Sequence, residues 1–131
     1  MAAKSYLLDT HVIVWAAVAP GELSARVRSI IEDGASRILY SPVSAIEIAT
    51  KVRIGKFDVA RPLARNFTDQ MTANRFVEIP LTSEHGELAG SFSSPNNDPW
   101  DRLLAAQAQI ARVTLLTRDS KMDAFGITTL W

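Results

Sequence analysis

Residues 5–18 read SYLLDTHVIVWAAV. SYLLDT is a short apolar run closed by a polar pair, the pattern of a buried strand. HVIVWAAVA is too apolar for a surface strand and stops at the breaker Pro20-Gly21-Glu22. The stretch is therefore read as a strand over residues 5–9 that turns directly into a helix running to about Val18.

The same alternation continues along the chain. ELSARVRSIIEDG carries Leu23, Val27, Ile30 and Ile31 at helical spacing and ends at Gly34. RILYS reads as a strand. PVSAIEIATKVRIG follows as a helix, with Pro42 in its first turn and a stop at Gly55. RPLARNFTDQMTA reads as a further helix and RFVEIPL as a strand. TSEHGELAGSF opens in the manner of a capping box, with Ser83 and Glu87 near the required spacing. NNDPWDRLLAAQA begins another helix. VTLLT is a strand, DSKMDAFG a short helix and ITTLW a terminal strand. Strands alternating with helices imply a mainly parallel sheet covered on both faces, an α/β/α sandwich in one domain over residues 1–131. SFSSPNN is the most loop-like stretch, and there is no internal repeat.

Composition narrows the class. At 131 residues the chain suffices for one domain with a proper core, and 47% hydrophobic against 21% charged residues is an ordinary globular balance. No apolar run approaches the ~18–20 residues of a membrane span. The N-terminal apolar run is too short, and too soon interrupted by Asp9, for a signal peptide. With no cysteine there is neither a disulfide framework nor a thiolate metal site, and the expected location is the cytoplasm. Basic and acidic residues number 14 each, so bulk charge does not announce a nucleic-acid binder. Residues 51–75, however, hold six basic side chains against two acidic ones, a net +4 that leaves −4 for the rest. That segment is either a polyanion-binding face or a solvated helical face.

In open parallel sheets, ligands bind at the carboxyl ends of the strands, near the point where strand order reverses. Four acids fall there. Asp9 ends the first strand, Glu47 lies early in the helix after RILYS, Asp101 sits in the first turn of the helix after SFSSPNN, and Asp119 follows VTLLT by one residue. Each has a structural alternative. An acid in a first turn gains ~0.3–1 kcal/mol from the helix dipole. Asp9 or Asp119 is also a plausible N-cap, and Glu47 is spaced i,i+4 from Lys51. Glu47 strains the purely structural explanation most, because it lies between Ile46 and Ile48. A carboxylate in so apolar a setting needs a cation or a polar pocket. Four converging carboxylates repel one another, and a divalent cation relieves that repulsion. Oxygen donors without cysteine suit Mg²⁺ or Mn²⁺ rather than zinc.

The two aspartates of DPWDRLL divide differently. Asp98 precedes Pro99, which is preorganised for the first helical position, so Asp98 is the expected N-cap. Asp101 is an imperfect capping-box partner and is left to serve chemistry.

Taken in order, YLLDTHVIVWA, SAIEIATKVRIGKF, DPWDRLLAAQA and LLTRDSKMDAFGI resemble the motifs of PIN-domain ribonucleases, above all the VapC-like toxins of bacterial toxin–antitoxin pairs. The resemblance covers nearly the whole chain. It implies a PIN-like three-layer α/β/α sandwich and a metal-dependent endoribonuclease, with the acidic set at Asp9, Glu47, Asp101 and Asp119. Asp9 is the first choice to bridge metal ions, with Glu47 and Asp101 as direct or water-mediated ligands and Asp119 as a fourth member that acts directly or through water. The resemblance also implies a cognate antitoxin and a homodimer. Trp15, on the first helix, is a candidate for the dimer interface, with the core as its alternative. Relatives often carry His-Arg ahead of a DPFD sequence, where this chain has Asn96-Asn97 and Trp100; the acids are intact.

Phosphodiester hydrolysis requires water to be activated and charge on the attacking and leaving oxygens to be offset, which divalent ions do. Lys51, Arg53 and Lys56 are the expected RNA-backbone contacts of the basic segment. Thr10 and Thr117 either orient water or phosphate or are structural β-branched residues at strand ends. His11 is a weaker candidate for a general base, and His85 is expected to be exposed. Three other readings start from the same acids. A haloacid-dehalogenase-type phosphatase needs an aspartate two residues after the first, and that position is His11. A receiver-type domain needs an aspartate ending a middle strand, and RILYS has none. A non-catalytic metal- or RNA-binding α/β domain would use the acids only as caps.

Overall fold

The computed structural model describes residues 3–131. Its centre is a five-stranded sheet of β1 (Ser5–Leu8), β2 (Arg37–Tyr40), β3 (Val77–Glu78), β4 (Thr114–Leu116) and β5 (Thr129–Leu130). The order across the sheet is β3-β2-β1-β4-β5, and every pairing is parallel. Chain order moves outward from β1 in one direction through β2 and β3, then returns to β1's other side for β4 and β5. The switch point therefore lies at the β1–β4 seam.

Because successive side chains point to opposite faces, each strand feeds two cores. Leu8, Ile38, Tyr40 and Leu116 pack with Val12, Ile13 and Val14 of α1 (Thr10–Val18) and Val27 of α2 (Ala25–Glu32). The same core holds Leu63 of α4 (Arg61–Arg65) and Phe67 and Met71 of α5 (Phe67–Ala73). Leu7, Leu39 and Leu115 pack on the other face against Leu104, Ala105 and Ala108 of α7 (Pro99–Ala111), over which α6 (Ser83–Ser91) lies. The helix α3 (Pro42–Arg53) spans both layers, giving Val43 to one core and Ile48 to the other. The result is the expected three-layer α/β/α sandwich. Full burial of side chains such as Leu7, Leu8 and Leu115 contributes about 1.5–3 kcal/mol each.

Several boundaries differ from the expectation. Leu23 lies outside α2, which starts after the N-cap Ser24, whose hydroxyl accepts from the Val27 amide at 3.1 Å. The helix expected over residues 61–73 breaks at Asn66, where φ −142 and ψ 38 leave the helical region. The strand expected over RFVEIPL is only two residues long, and the helix after Asp119 is a 3-10 turn over Ser120–Phe125. The first turn of α6 is capped by Thr82 and His85, not by Ser83 and Glu87: the Thr82 amide donates to His85 Nδ1 at 2.9 Å. His85 is consequently buried, 8% exposed, and not a surface residue.

Candidate active site

Asp9 stands at the switch point and is held from three sides. Its amide donates to the Leu116 carbonyl at 3.0 Å, continuing the β1–β4 ladder one residue past the strand. Its Oδ1 accepts from the Thr10 amide at 2.7 Å, which makes it the N-cap of α1. Its Oδ2 accepts from Thr117 Oγ1 at 2.6 Å, across 108 residues of chain. Thr117 is itself buried and anchored, its amide donating to the Leu130 carbonyl at 3.1 Å. Burial pushes the Asp9 carboxyl above its ordinary range, against the lowering effect of the two hydrogen bonds and His11, while the charge of Glu47 raises it further.

The neighbouring helices are tied to the same edge by buried polar bonds. Thr10 Oγ1 and Ser44 Oγ are 2.9 Å apart, joining α1 to α3. Ser41 caps α3 by accepting from the Val43 amide, and its hydroxyl donates to Oε1 of Gln107, a fully buried residue of α7. Glu47, on α3, is 5% exposed and accepts from Lys51 Nζ at 2.5 Å. The i,i+4 spacing is thus used, with the ammonium at the cavity edge beside the carboxylate.

The start of α7 separates its two aspartates. Asp98 is the N-cap, its Oδ1 accepting from the amides of Trp100 at 2.8 Å and Asp101 at 3.2 Å. The capping-box role considered for Asp101 is filled differently, because the Asp98 amide donates to Asn96 Oδ1 at 2.9 Å. Asp101 instead accepts from Asn96 Nδ2 at 3.0 Å. Burial raises the Asp101 carboxyl to about 6; the Asn96 bond opposes this, and the charges of Asp98, Asp9 and Asp119 add to it. Asp119 is exposed and caps the 3-10 turn, accepting from the Lys121 amide at 2.9 Å, while its own amide donates to Thr117 Oγ1.

All four sequence-identified acids line one cavity of about 300 Å³, joined by Asp98. His11, Trp15, Lys51 and Arg118 form the rest of its polar and aromatic wall. Five carboxylates facing two permanent cations leave the cavity net negative. As placed, no three His, Asp or Glu side chains among the described residues surround a single point closely enough to hold an ion. The donor set is nevertheless all hard oxygen, and burial, with a smaller push from neighbouring carboxylates, raises the Asp9 and Asp101 carboxyls. That chemistry fits a divalent ion such as Mg²⁺ or Mn²⁺. Arg53 and Lys56 are exposed beyond Lys51, at and just after the end of α3. Trp15 is half-buried and belongs to the cavity wall.

Two supporting residues were missed from the sequence. Asn96 has a legible signal, since an Asx residue two positions before Asp98 is spaced to close a turn on its amide. Arg102 has none. Its guanidinium donates to the carbonyls of Ala89, Phe92, Ser94 and Asn96, holding the loop that carries Asn96.

A parallel sheet with an acidic cavity at its switch point is the architecture of a PIN domain. The family model described as PIN domain matches residues 6–127, and the chain belongs to that family. No curated protein matches it. Among solved structures, VapBC2 from Rickettsia felis bound to a promoter DNA fragment is similar at 16% identity and TM-score 0.65, covering 96% of this chain and 97% of that one. FitAcB from Neisseria gonorrhoeae is similar at 22% identity and TM-score 0.63, with 96% of each chain covered. A toxin–antitoxin complex from Klebsiella pneumoniae is similar at 16% and 0.66, again with 96% of each covered. At these identities the likeness is one of fold. No helix among the described residues is long and apolar enough to cross a membrane.

Proposed function

We propose that this chain is a metal-dependent endoribonuclease and the toxin of a toxin–antitoxin pair, working as a single nuclease domain in the cytoplasm. The observation that carries the reading is the meeting of Asp9, Glu47, Asp101 and Asp119 in one cavity at the switch point of a PIN-family sheet. These four side chains would hold Mg²⁺ or Mn²⁺, which supplies charge for the developing oxyanions and acidifies water. The chain's own part is positional. Thr117 and the Thr10 amide aim both oxygens of Asp9, and Asn96 aims one oxygen of Asp101. The Lys51 ammonium offsets Glu47, and Arg53 and Lys56 continue the positive surface along which the RNA backbone runs. The solved complexes of like fold support an antitoxin partner, and the family resemblance supports a homodimer.

The test is cleavage of cellular RNA with Mn²⁺ and with EDTA, followed by mapping of the cut sites. Metal-dependent cuts at a defined sequence are expected. A second reading, a non-catalytic metal- or RNA-binding domain, draws on the capping bonds made by Asp9 and Asp119 and on the Glu47–Lys51 pair. RNA left intact in Mn²⁺, with binding retained, would establish that reading instead.

A further inference from the structure

The cavity has two unlike walls. One is the carboxylate wall. The other is made by His11 and Trp15, one turn apart on α1, and by Arg118. The His11 and Trp15 rings are 5.7 Å apart between centroids, and His11 also lies 5.4 Å from Phe57. Trp15 is braced edge-on by Trp131 at 5.7 Å. The Arg118 guanidinium carbon lies over the Trp15 ring, 4.3 Å from its centroid.

Three features set this wall apart from an ordinary surface contact. Arg118 lies in sequence between Thr117, which binds Asp9, and Asp119, so its backbone is fixed beside the acids. Its side chain is 54% exposed, and its ion-pair neighbour among the described residues, Glu22, is equally exposed at 3.8 Å, a distance too long to hold the charge firmly. The guanidinium carbon sits over Trp15 while about half of the side chain stays open to solvent. A guanidinium seated over an indole ring forms with it a surface on which a nucleobase can stack, tolerant of base identity because every base has a π-face. A polyanion entering a negative cavity also needs a positive approach, which the edge N–H groups of Arg118 provide.

We propose that the Trp15–Arg118 stack, flanked by His11, is a nucleobase subsite that seats the nucleotide next to the carboxylate wall. The proposal rests on the ribonuclease reading for its substrate and adds a binding site that the acids do not contain. The stack holds the base while the adjoining phosphodiester reaches Asp9 and Asp101. Base selection at this position is weak, since stacking reads a flat face and no buried hydrogen-bonding group lines this wall.

The test measures binding apart from cleavage. In an Asp101→Asn background with magnesium present, fluorescence anisotropy compares a labelled single-stranded RNA hexamer with an abasic hexamer of the same length. The base-bearing strand is expected to bind about ten-fold tighter, the scale of one base–aromatic stack. Arg118→Lys keeps the charge and loses the plane; it should abolish most of that difference while preserving the salt dependence. Trp15→Leu should abolish it too, and circular dichroism checks that this variant is folded. Equal affinity for both strands in the parent, or an undiminished preference in folded Arg118→Lys, overturns the subsite. Cleavage by the unsubstituted chain is assayed separately. Cutting together with equal binding of the base-bearing and abasic strands sinks the subsite alone, whereas base-dependent binding without any cutting keeps the subsite and sinks the enzyme reading.

Discussion

Asp9 and Asp101 face the same cavity but are held in opposite ways. Asp9 is fixed by a buried hydroxyl 108 residues away and by the sheet ladder itself. Asp101 is fixed by a side-chain amide five residues before it, on a loop tied down by Arg102. The first carboxylate is in position only when β1, β4 and the turn after β4 have assembled. The second is organised by its own loop. The site therefore joins a rigid, long-range half to a local, more exposed half. Perturbing the first should cost stability and chemistry together, and perturbing the second chemistry with little loss of stability.

The largest expected effect separates two aspartates within four residues of chain, Asp98 and Asp101. Asp101→Asn should lower cleavage by roughly 100-fold or more, because a neutral amide is a weak ligand for a hard cation, while the fold is kept. Asp98→Ala should do the reverse, costing about 0.5–2 kcal/mol as a lost N-cap with much of the cleavage retained. Melting curves and RNA assays at saturating Mn²⁺ decide it. An active Asp101→Asn beside a folded but dead Asp98→Ala would exchange the two roles.

Next comes the long-range half. Thr117→Val removes the hydroxyl donated to Asp9 with little change of volume. The loss should be about 1.5–3 kcal/mol, the range for a hydrogen bond to a charged group, and cleavage should fall as well. Thr117→Ser should restore both. Urea unfolding of the three proteins measures this. A Thr117→Val protein as stable as its parent would show that Asp9 is held without the Thr117 hydroxyl.

Metal-free stability against pH gives a smaller effect. The Asp9 and Asp101 carboxyls are both raised in the folded protein, Asp101 from 3.8 to about 6. The folded state then holds protons more tightly than the unfolded chain. Their stabilising contribution is fully present below the unfolded value and is lost as pH climbs through the folded one. In EDTA, melting temperature should decline more between about pH 4 and 6 for the parent than for Asp101→Asn, and added Mn²⁺ should recover it at pH 7. Parallel curves for parent and variant, or no response to Mn²⁺, would count against a charge-deficient site.

The smallest effect belongs to the loop. Asn96→Ala removes the bond that holds the Asp101 carboxyl down, so the acid limb of the pH–rate profile should move upward by a fraction of a pH unit. Stability should hardly change, since Asn96 lies on a loop outside both cores. An unmoved limb would return Asn96 to a purely turn-forming role.

Much of the architecture was legible because it is local. SYLL, RILY and TLL are brief apolar runs, and their helices carry marked ends at Pro42, Asp98 and Pro99. The acids were legible by their position at strand ends and helix starts. Less visible were features settled by packing. Nothing in RPLARNFTDQMTA marks Asn66 as a break, yet Leu63, Phe67 and Met71 must all reach one core. His85 looked like an exposed polar residue until its ring nitrogen proved to cap the Thr82 amide.

Residue order by itself determined the alternation of elements, the strand-end location of Asp9 and the capping duty of Asp98. Each depends on dihedral preference or hydrogen bonding within a few residues. Only the tertiary structure decided that Thr117 bonds Asp9 and that Trp15 and Arg118 face the acids across one cavity. Those meetings follow from the strand order β3-β2-β1-β4-β5, which brings β4 beside β1. That order is set by which apolar faces bury together over the whole chain, a global balance that no local pattern of residues records.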